Sequence, residues 1–233
     1  MKLSSRLLSC ASLVRPGGVA ADVGTDHGYL AIYLLEQGIC PRVFASDLRE
    51  GPLSAARRSA AKAGLSDQIT FVLSDGLRSL PATEIDTVIC AGMGGDNIIS
   101  ILDAEPAVRS PEKQLILQPQ SKVADLRRWL AEQGFTIRRE RLSRDGKFVY
   151  TAMDAAYTGA TETLSPGRQL MPEILLQSGD PLLRDYFVRV RDSVTMSVEG
   201  LRRAKEPDRA LQIYYETALS ELMEMEARYD LGQ

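Results

Sequence analysis

The chain has 233 residues, 44% of them hydrophobic and 25% charged, with net charge −3 and a pI near 5.4. That is enough apolar sequence for one sizeable core plus a small second unit, and it excludes disorder as the dominant state. The acidic balance leans against a protein that grips a phosphate backbone by bulk charge. The charge is uneven. Residues 1–160 carry 19 Lys+Arg against 18 Asp+Glu, and residues 161–233 carry nine against 13. The first part is therefore the better place for an anionic polymer. Three scattered cysteines and one histidine (His27) give no metal-ligand spacing, so no metal is expected, and an odd cysteine count fits a reducing, cytoplasmic setting.

Leu3, Leu7, Leu8, Ala11 and Val14 recur at helical spacing and predict an amphipathic first helix. Leu7-Leu8-Ser9-Cys10 loosely resembles a lipoprotein cleavage site, but Arg6 leaves too short an apolar run before it. No run of 18 apolar residues occurs, so no membrane partner is expected. After a turn at Arg15–Gly18, strands and helices alternate. Val19–Val23 reads as a strand and Tyr29–Gly38 as a helix. Val43–Ser46 is a strand, Pro52–Ala63 a helix stopped by Gly64, and Ile69–Leu73 a strand. Thr87–Cys90 is a strand, followed by a helix ending at Leu102. Gln114–Leu117 is a strand and Val123–Gln133 a helix ended by Gly134. Phe135–Leu142 and Phe148–Met153 are extended and joined by a turn at Arg144-Asp145-Gly146. Five βα units and a final hairpin imply an α/β fold, a mostly parallel sheet with helices on both faces, whose ligands bind at the carboxyl ends of the strands.

Near Thr158 the character changes. Residues 158–167 read as a linker, and no strand signal follows Pro181. Leu183, Phe187, Val190, Val194 and Leu201 keep a 4-3 stepping with a gap at Ser197. Leu211, Tyr215, Ala218, Leu222, Met225 and Tyr229 keep it unbroken. Two helices folded back as an antiparallel coiled-coil pair fit this pattern; two helices simply packed on the main domain are the alternative. The division is thus residues 1–157 and 158–233.

Four loops at the carboxyl edge carry the chemistry. The first holds Asp22, Gly24, Thr25, Asp26, His27 and Gly28. Its glycines let backbone approach a ligand. Its carboxylates repel a pyrophosphate and suit a cationic amine and sulfonium, which favours S-adenosylmethionine over NAD. The second holds Asp47 and Leu48; a carboxylate there can accept two ribose hydroxyls, or it caps the next helix. The third, Ser74-Asp75-Gly76, sits where an adenine ring would lie, or is an Asp-Gly turn. The fourth, Gly92-Met93-Gly94-Gly95, has glycines enough for a planar target to slide close.

Asp22-Val-Gly-Thr-Asp-His-Gly-Tyr-Leu30, Ala45-Ser-Asp47, Ser74-Asp-Gly76, Gly92-Met-Gly-Gly95 and Leu117-Gln-Pro-Gln120 occur in order, with Leu126-Arg-Arg-Trp-Leu130 and Gly134-Phe135 after them. Together they resemble the bacterial tRNA (adenine-22)-N1-methyltransferase family over roughly residues 1–155. Gln120 stands where that family's pattern usually has Asn. The resemblance implies a Rossmann-like class I methyltransferase domain with a seven-stranded sheet, S-adenosylmethionine as cofactor and tRNA as partner. It implies cofactor contacts from Asp22, Gly24, Thr25, Asp26, Gly28, Asp47, Leu48, Ser74, Asp75, Gly76, Gly92, Met93 and Gly94. It leaves the oligomeric state open, a monomer included. Asp26 is expected to stabilise the charge that develops on the base and His27 to accept a proton or orient it; alternatively Asp26 binds the methionine amine and His27 caps the helix. Arg138, Arg139, Arg141, Arg144 and Lys147 are candidates for phosphate contacts, or form a solvated strand face. Rival functions on the same fold are a small-molecule or protein methyltransferase and a non-catalytic RNA-binding protein.

Overall fold

A computed structural model describes residues 3–231. Helix α1 (Ser5–Leu13) leads into strand β1 (Ala20–Val23), helix α2 (Tyr29–Glu36), strand β2 (Val43–Asp47), helix α3 (Glu50–Ala63) and strand β3 (Ile69–Leu73). Strand β4 (Thr87–Met93), helix α4 (Gly95–Asp103), strand β5 (Gln114–Pro119) and helix α5 (Val123–Glu132) follow. A long hairpin of β6 (Phe135–Asp145) and β7 (Phe148–Tyr157) completes a seven-stranded sheet of order β3-β2-β1-β4-β5-β7-β6. The first five strands are parallel, and β7 runs antiparallel to both β5 and β6.

The two faces of the sheet follow from strand alternation. Ala20, Ala45, Ile89 and Ile116 join α1, α2 and α3 in one core. Ala21, Phe44, Val88, Cys90, Leu115 and Leu117 join α4 and α5 in the other. Because both faces are covered, the central strands are apolar almost throughout, as parallel strands must be. Trp129 stacks on Phe135 with ring centroids 5.7 Å apart, a core role.

Several boundaries differ from the sequence expectation. In α1, Leu8 is exposed, while Cys10 and Leu13 join Ala11 in the core. Strand β4 continues past Cys90 to Met93, carried by a register break against β5 between Ala91 and Met93. The hairpin strands run to Asp145 and from Phe148, so the turn is Gly146-Lys147, where Gly146 has φ +57°. The expected linker ends at Ser165, because Pro166 opens helix α6 (Pro166–Leu170), followed by α7 (Glu173–Leu176).

Helices α8 (Leu183–Arg203) and α9 (Arg209–Tyr229) lie antiparallel, tied by Arg191–Glu226 and Arg202–Glu216 ion pairs. Val198, next to the Ser197 gap, is buried and keeps the seam closed. Leu142 of β6 shares the tail's core with Met171, Leu175, Phe187 and Leu222, so the pair is seated on the hairpin through α6 and α7. Arg127 of α5 fixes this junction. It is buried, pairs with buried Glu140 and donates to the carbonyls of Gln169 (3.0 Å) and Leu170 (2.7 Å). Thr151 donates to the same Glu140 carboxylate.

All three cysteines are free and buried. Burial pushes the thiols of Cys10 and Cys90 up to about 12 and that of Cys40 to about 11, which holds them protonated.

Candidate functional site

Strand order reverses between β1 and β4, and the loops that follow them are neighbours: Val23 pairs with Cys90 at the strand ends. This is the switch point at which open α/β sheets bind ligands. A cavity of about 430 Å³ opens there, a size suited to a nucleoside-containing ligand. Gly24, Asp47 and Leu48 line one side, Ser74, Asp75 and Gly76 another, and Met93 closes the third.

The first loop is a tight turn. The amides of Gly24 and Thr25 both donate to the Ser46 carbonyl, at 2.8 and 2.9 Å. Gly24 has φ +75°, so the turn favours glycine, and a Cβ there would press on the Met93 side chain, 3.0 Å from its Cε. Asp22 is buried beneath this turn and accepts the Thr25 hydroxyl at 2.6 Å. Burial raises its pKa to about 6; the Thr25 hydroxyl and the Ala31 amide oppose the rise, and Asp47 adds to it. A buried carboxylate with so little compensation is suited to a cationic partner. Asp26 has φ +53°, a conformation few non-glycine residues adopt, and its side chain is exposed. His27 stacks on Tyr29 with centroids 5.3 Å apart and stands 3.8 Å from Asp26. Both lie at the rim, outside the cavity lining. The N-cap of α2 is Gly28, with no side-chain capping bond, so His27 does not cap the helix.

Asp47 accepts the Arg49 amide at 3.0 Å through one oxygen, Oδ1, and lines the cavity. Arg49 rather than Asp47 is the N-cap of α3, so the simple capping alternative does not describe it. Ser74 is buried, donating to the Gly76 carbonyl (3.0 Å) and accepting the Ser79 amide (3.1 Å). This shapes the third loop and leaves Asp75 exposed against Arg78.

The fourth loop is held by close packing. A Cβ on Gly95 would fall 2.5 Å from the Lys122 carbonyl, and Gly95 N–H donates to the Ser121 carbonyl at 2.9 Å. Gly92 has φ +79° and donates its N–H to Gln118 Oε1 at 3.2 Å. Asp22, Thr25, Asp26, Gly28, Gly92 and Gly94 do not line the cavity itself. Arg49, Asn97, Ser100 and Ile101 line it without having been singled out. The last three share one face of α4 at helical spacing, a signal that was present in the sequence.

The family model for a methyltransferase domain matches residues 3–153. The tRNA (adenine(22)-N(1))-methyltransferase of Bacillus subtilis is 32% identical over 193 residues, covering 80% of each chain. The chain belongs to the tRNA (adenine(22)-N1)-methyltransferase family. Among solved members of that family, the B. subtilis m1A22 tRNA methyltransferase TrmK superposes with TM-score 0.78 at 26% identity, covering 99% of this chain and 97% of its own. Streptococcus pneumoniae Sp1610, solved in complex with S-adenosyl-L-methionine, superposes with TM-score 0.81 at 26% identity, covering 96% and 99%. The correspondence thus extends through the helical tail.

Among the described residues there is no group of three or more His, Cys, Asp or Glu able to hold a metal, and no helix is long and apolar enough to cross a membrane.

Proposed function

We propose that this chain methylates N1 of adenine-22 in tRNA, using S-adenosylmethionine. The observation that carries the reading is the switch-point cavity: a buried carboxylate, Asp22, beneath a glycine turn, and a second carboxylate, Asp47, on its wall, beside the glycine-rich turn after β4.

The residues present fit the cofactor. Gly24 lines the cavity with no side chain to obstruct it, Asp47 has an oxygen left for ribose hydroxyls, and the charge of Asp22 suits the methionine amine. Thr25 and Gly28 keep the turn in shape, Leu48 offers an apolar edge, and Ser74–Gly76 frames the adenine. When bound, S-adenosylmethionine supplies an activated methyl group. Adenine N1 has its own lone pair, so the protein needs no covalent intermediate, and placing the base in line is its main task. Such placement is worth roughly 7–11 kcal/mol of a barrier. N1 lies on the pairing edge, so the base is taken unpaired or flipped out, at about a few kcal/mol. Gly92, Met93 and Gly94 form the turn against which the base rests. The methylated base becomes cationic. Asp26, exposed at the rim one strand away from Gly92, stabilises that charge, and His27 beside it orients the base or accepts a proton.

The RNA backbone is assigned to a wide cleft of about 960 Å³ between α1, β6 and the segment joining α7 to α8. Arg138 and Arg141 line it, are exposed, and enter no ion pair among the described residues. Arg139 and Arg144 are engaged by Asp154 and Asp185, so of the basic cluster it is Arg138, Arg141 and Lys147 that remain for phosphates.

The test is direct. Purified protein, S-adenosylmethionine and unmodified tRNA are incubated, and 1-methyladenosine is quantified by mass spectrometry after digestion, with a tRNA carrying guanine at position 22 as control. New 1-methyladenosine confined to the adenine-22 tRNA is expected. A protein that binds the cofactor but leaves both tRNAs unmodified would shift the reading to a small-molecule methyltransferase.

A further inference from the structure

Arg6, on α1, reaches the irregular end of β4 at Gly92 from a part of the chain far from the cofactor loops. Its Nη1 donates to Gln118 Oε1 at 2.8 Å. The same oxygen accepts the Gly92 N–H at 3.2 Å. Its Nε faces Asp145 Oδ2 at the hairpin tip, 3.3 Å away, and its guanidinium lies over the Tyr150 ring, 5.4 Å from the centroid. Gln118 is fully buried, and its Nε2 donates to the Pro119 carbonyl at 2.9 Å, which fixes the amide with its oxygen toward Gly92.

Gly92 needs such support. The β4–β5 register breaks between Ala91 and Met93, so Gly92 has no partner residue on β5. Its amide is held by Gln118 instead, and Gln118 is held by Arg6. A Cβ on Gly92 would lie 3.5 Å from both Arg6 Nη1 and Gln120 Nε2, so these side chains flank the turn. Arg6 is mostly shielded, with 20% of its side chain exposed, and is absent from the lining of the cofactor cavity. A cation in that position costs desolvation that a plain helix–sheet contact would avoid. Asp145 and Gln118 offset the cost through charge-assisted bonds.

We propose that Arg6 is a positioning residue for methyl transfer: through Gln118 it fixes the Gly92 turn, and so sets where the target base rests relative to the methyl group. This rests on the tRNA reading given above. Arg6 does not line the cofactor cavity, so its loss separates base placement from cofactor binding.

The experiment compares the parent with Arg6→Ala and Arg6→Lys. In Arg6→Ala, kcat on tRNA is expected to fall about 10- to 100-fold, as for a misplacement of about 1 Å, with KM for tRNA and Kd for S-adenosylmethionine within about threefold. Arg6→Lys keeps a donor and the charge and is expected to recover most of the loss. Hydrogen exchange of residues 91–95, measured without tRNA, is expected to quicken at least about tenfold in Arg6→Ala. The unchanged cofactor affinity certifies that the variant is folded. An unchanged kcat, a loss residing in KM or in cofactor affinity, or unaltered exchange at 91–95 would each overturn the proposal. Because exchange is read without substrate, the clamp stands or falls on it even if the tRNA reading fails.

Discussion

Asp22 sits where water does not reach, with only the Thr25 hydroxyl and the Ala31 amide to support its charge. Its pKa in the fold, about 6, lies above the ordinary 3.8. A raised carboxylate contributes stability that is fully present below the unfolded value and is lost as pH rises through the folded one. From about pH 4 to pH 6 the cofactor-free protein therefore loses stability at this group, by roughly 3 kcal/mol. Asp22→Asn should melt higher than the parent at pH 7.5, with the gap closing as pH falls from about 6 to about 4, as followed by thermal unfolding of the cofactor-free proteins. The same substitution should weaken S-adenosylmethionine binding at pH 7.5, and the parent's own affinity should fall as the pH drops through 6, both measurable by calorimetry. A destabilised parent that gains affinity from the same atom is the usual trade between stability and function.

At the scale of elements, the glycine turn after β4 depends on α5 as much as on its own strand. The approach of Gly95 to the Lys122 carbonyl leaves no room for a methyl group, and a backbone atom cannot yield as a flexible side chain does. Gly95→Ala should cost about 1–3 kcal/mol in denaturant unfolding and lower turnover more than cofactor affinity. A variant with parental stability and turnover would show that α5 does not fix the turn.

Elements were legible in the sequence where local pattern and tertiary demand agree. Strand β3 matches residue for residue, and Gly64 ends α3 in the left-handed conformation expected of it. All four candidate loops fall at one sheet edge. Helices α6 and α7, with five and four residues, are too short to show a 3.6-residue period, and Pro166-Gly167 looks like a linker although proline suits a first helical turn. Gln118 was illegible for another reason. It stands in the Leu117–Gln120 element that carries the family resemblance, but only the fold brings Arg6 and Gly92 to its side chain. The basic cluster was half legible: the sequence groups its residues but cannot say that Arg139 and Arg144 are spent on Asp154 and Asp185.

In the whole molecule, Arg127 joins the sheet to the tail. Arg127→Ala leaves the buried Glu140 charge without its counterion and frees two carbonyls of α6. A loss of about 3–5 kcal/mol is expected, a drop in Tm of roughly 10 °C for a chain of this size. The double variant Arg127→Met, Glu140→Leu should regain part of it, because no charge is then stranded. A double variant as unstable as the single one would place the cost in the carbonyl contacts instead. The tail is acidic and the cleft beside it basic, so tRNA affinity should be local and salt-sensitive. Arg138→Ala with Arg141→Ala should reduce the slope of log K against log salt by about 1.5–2 and leave cofactor affinity unchanged, read by titration at several ionic strengths.

The burial of all three thiols makes the protein a convenient host for site-directed probes. Reagents that need a thiolate meet none at neutral pH while the fold is intact. A single cysteine introduced at exposed Met196 on α8, and another at exposed Leu73 beside the cofactor edge, would take a dye pair with no native cysteine removed. Energy transfer between them would then report whether the distance from the helical pair to the cofactor edge changes when tRNA binds.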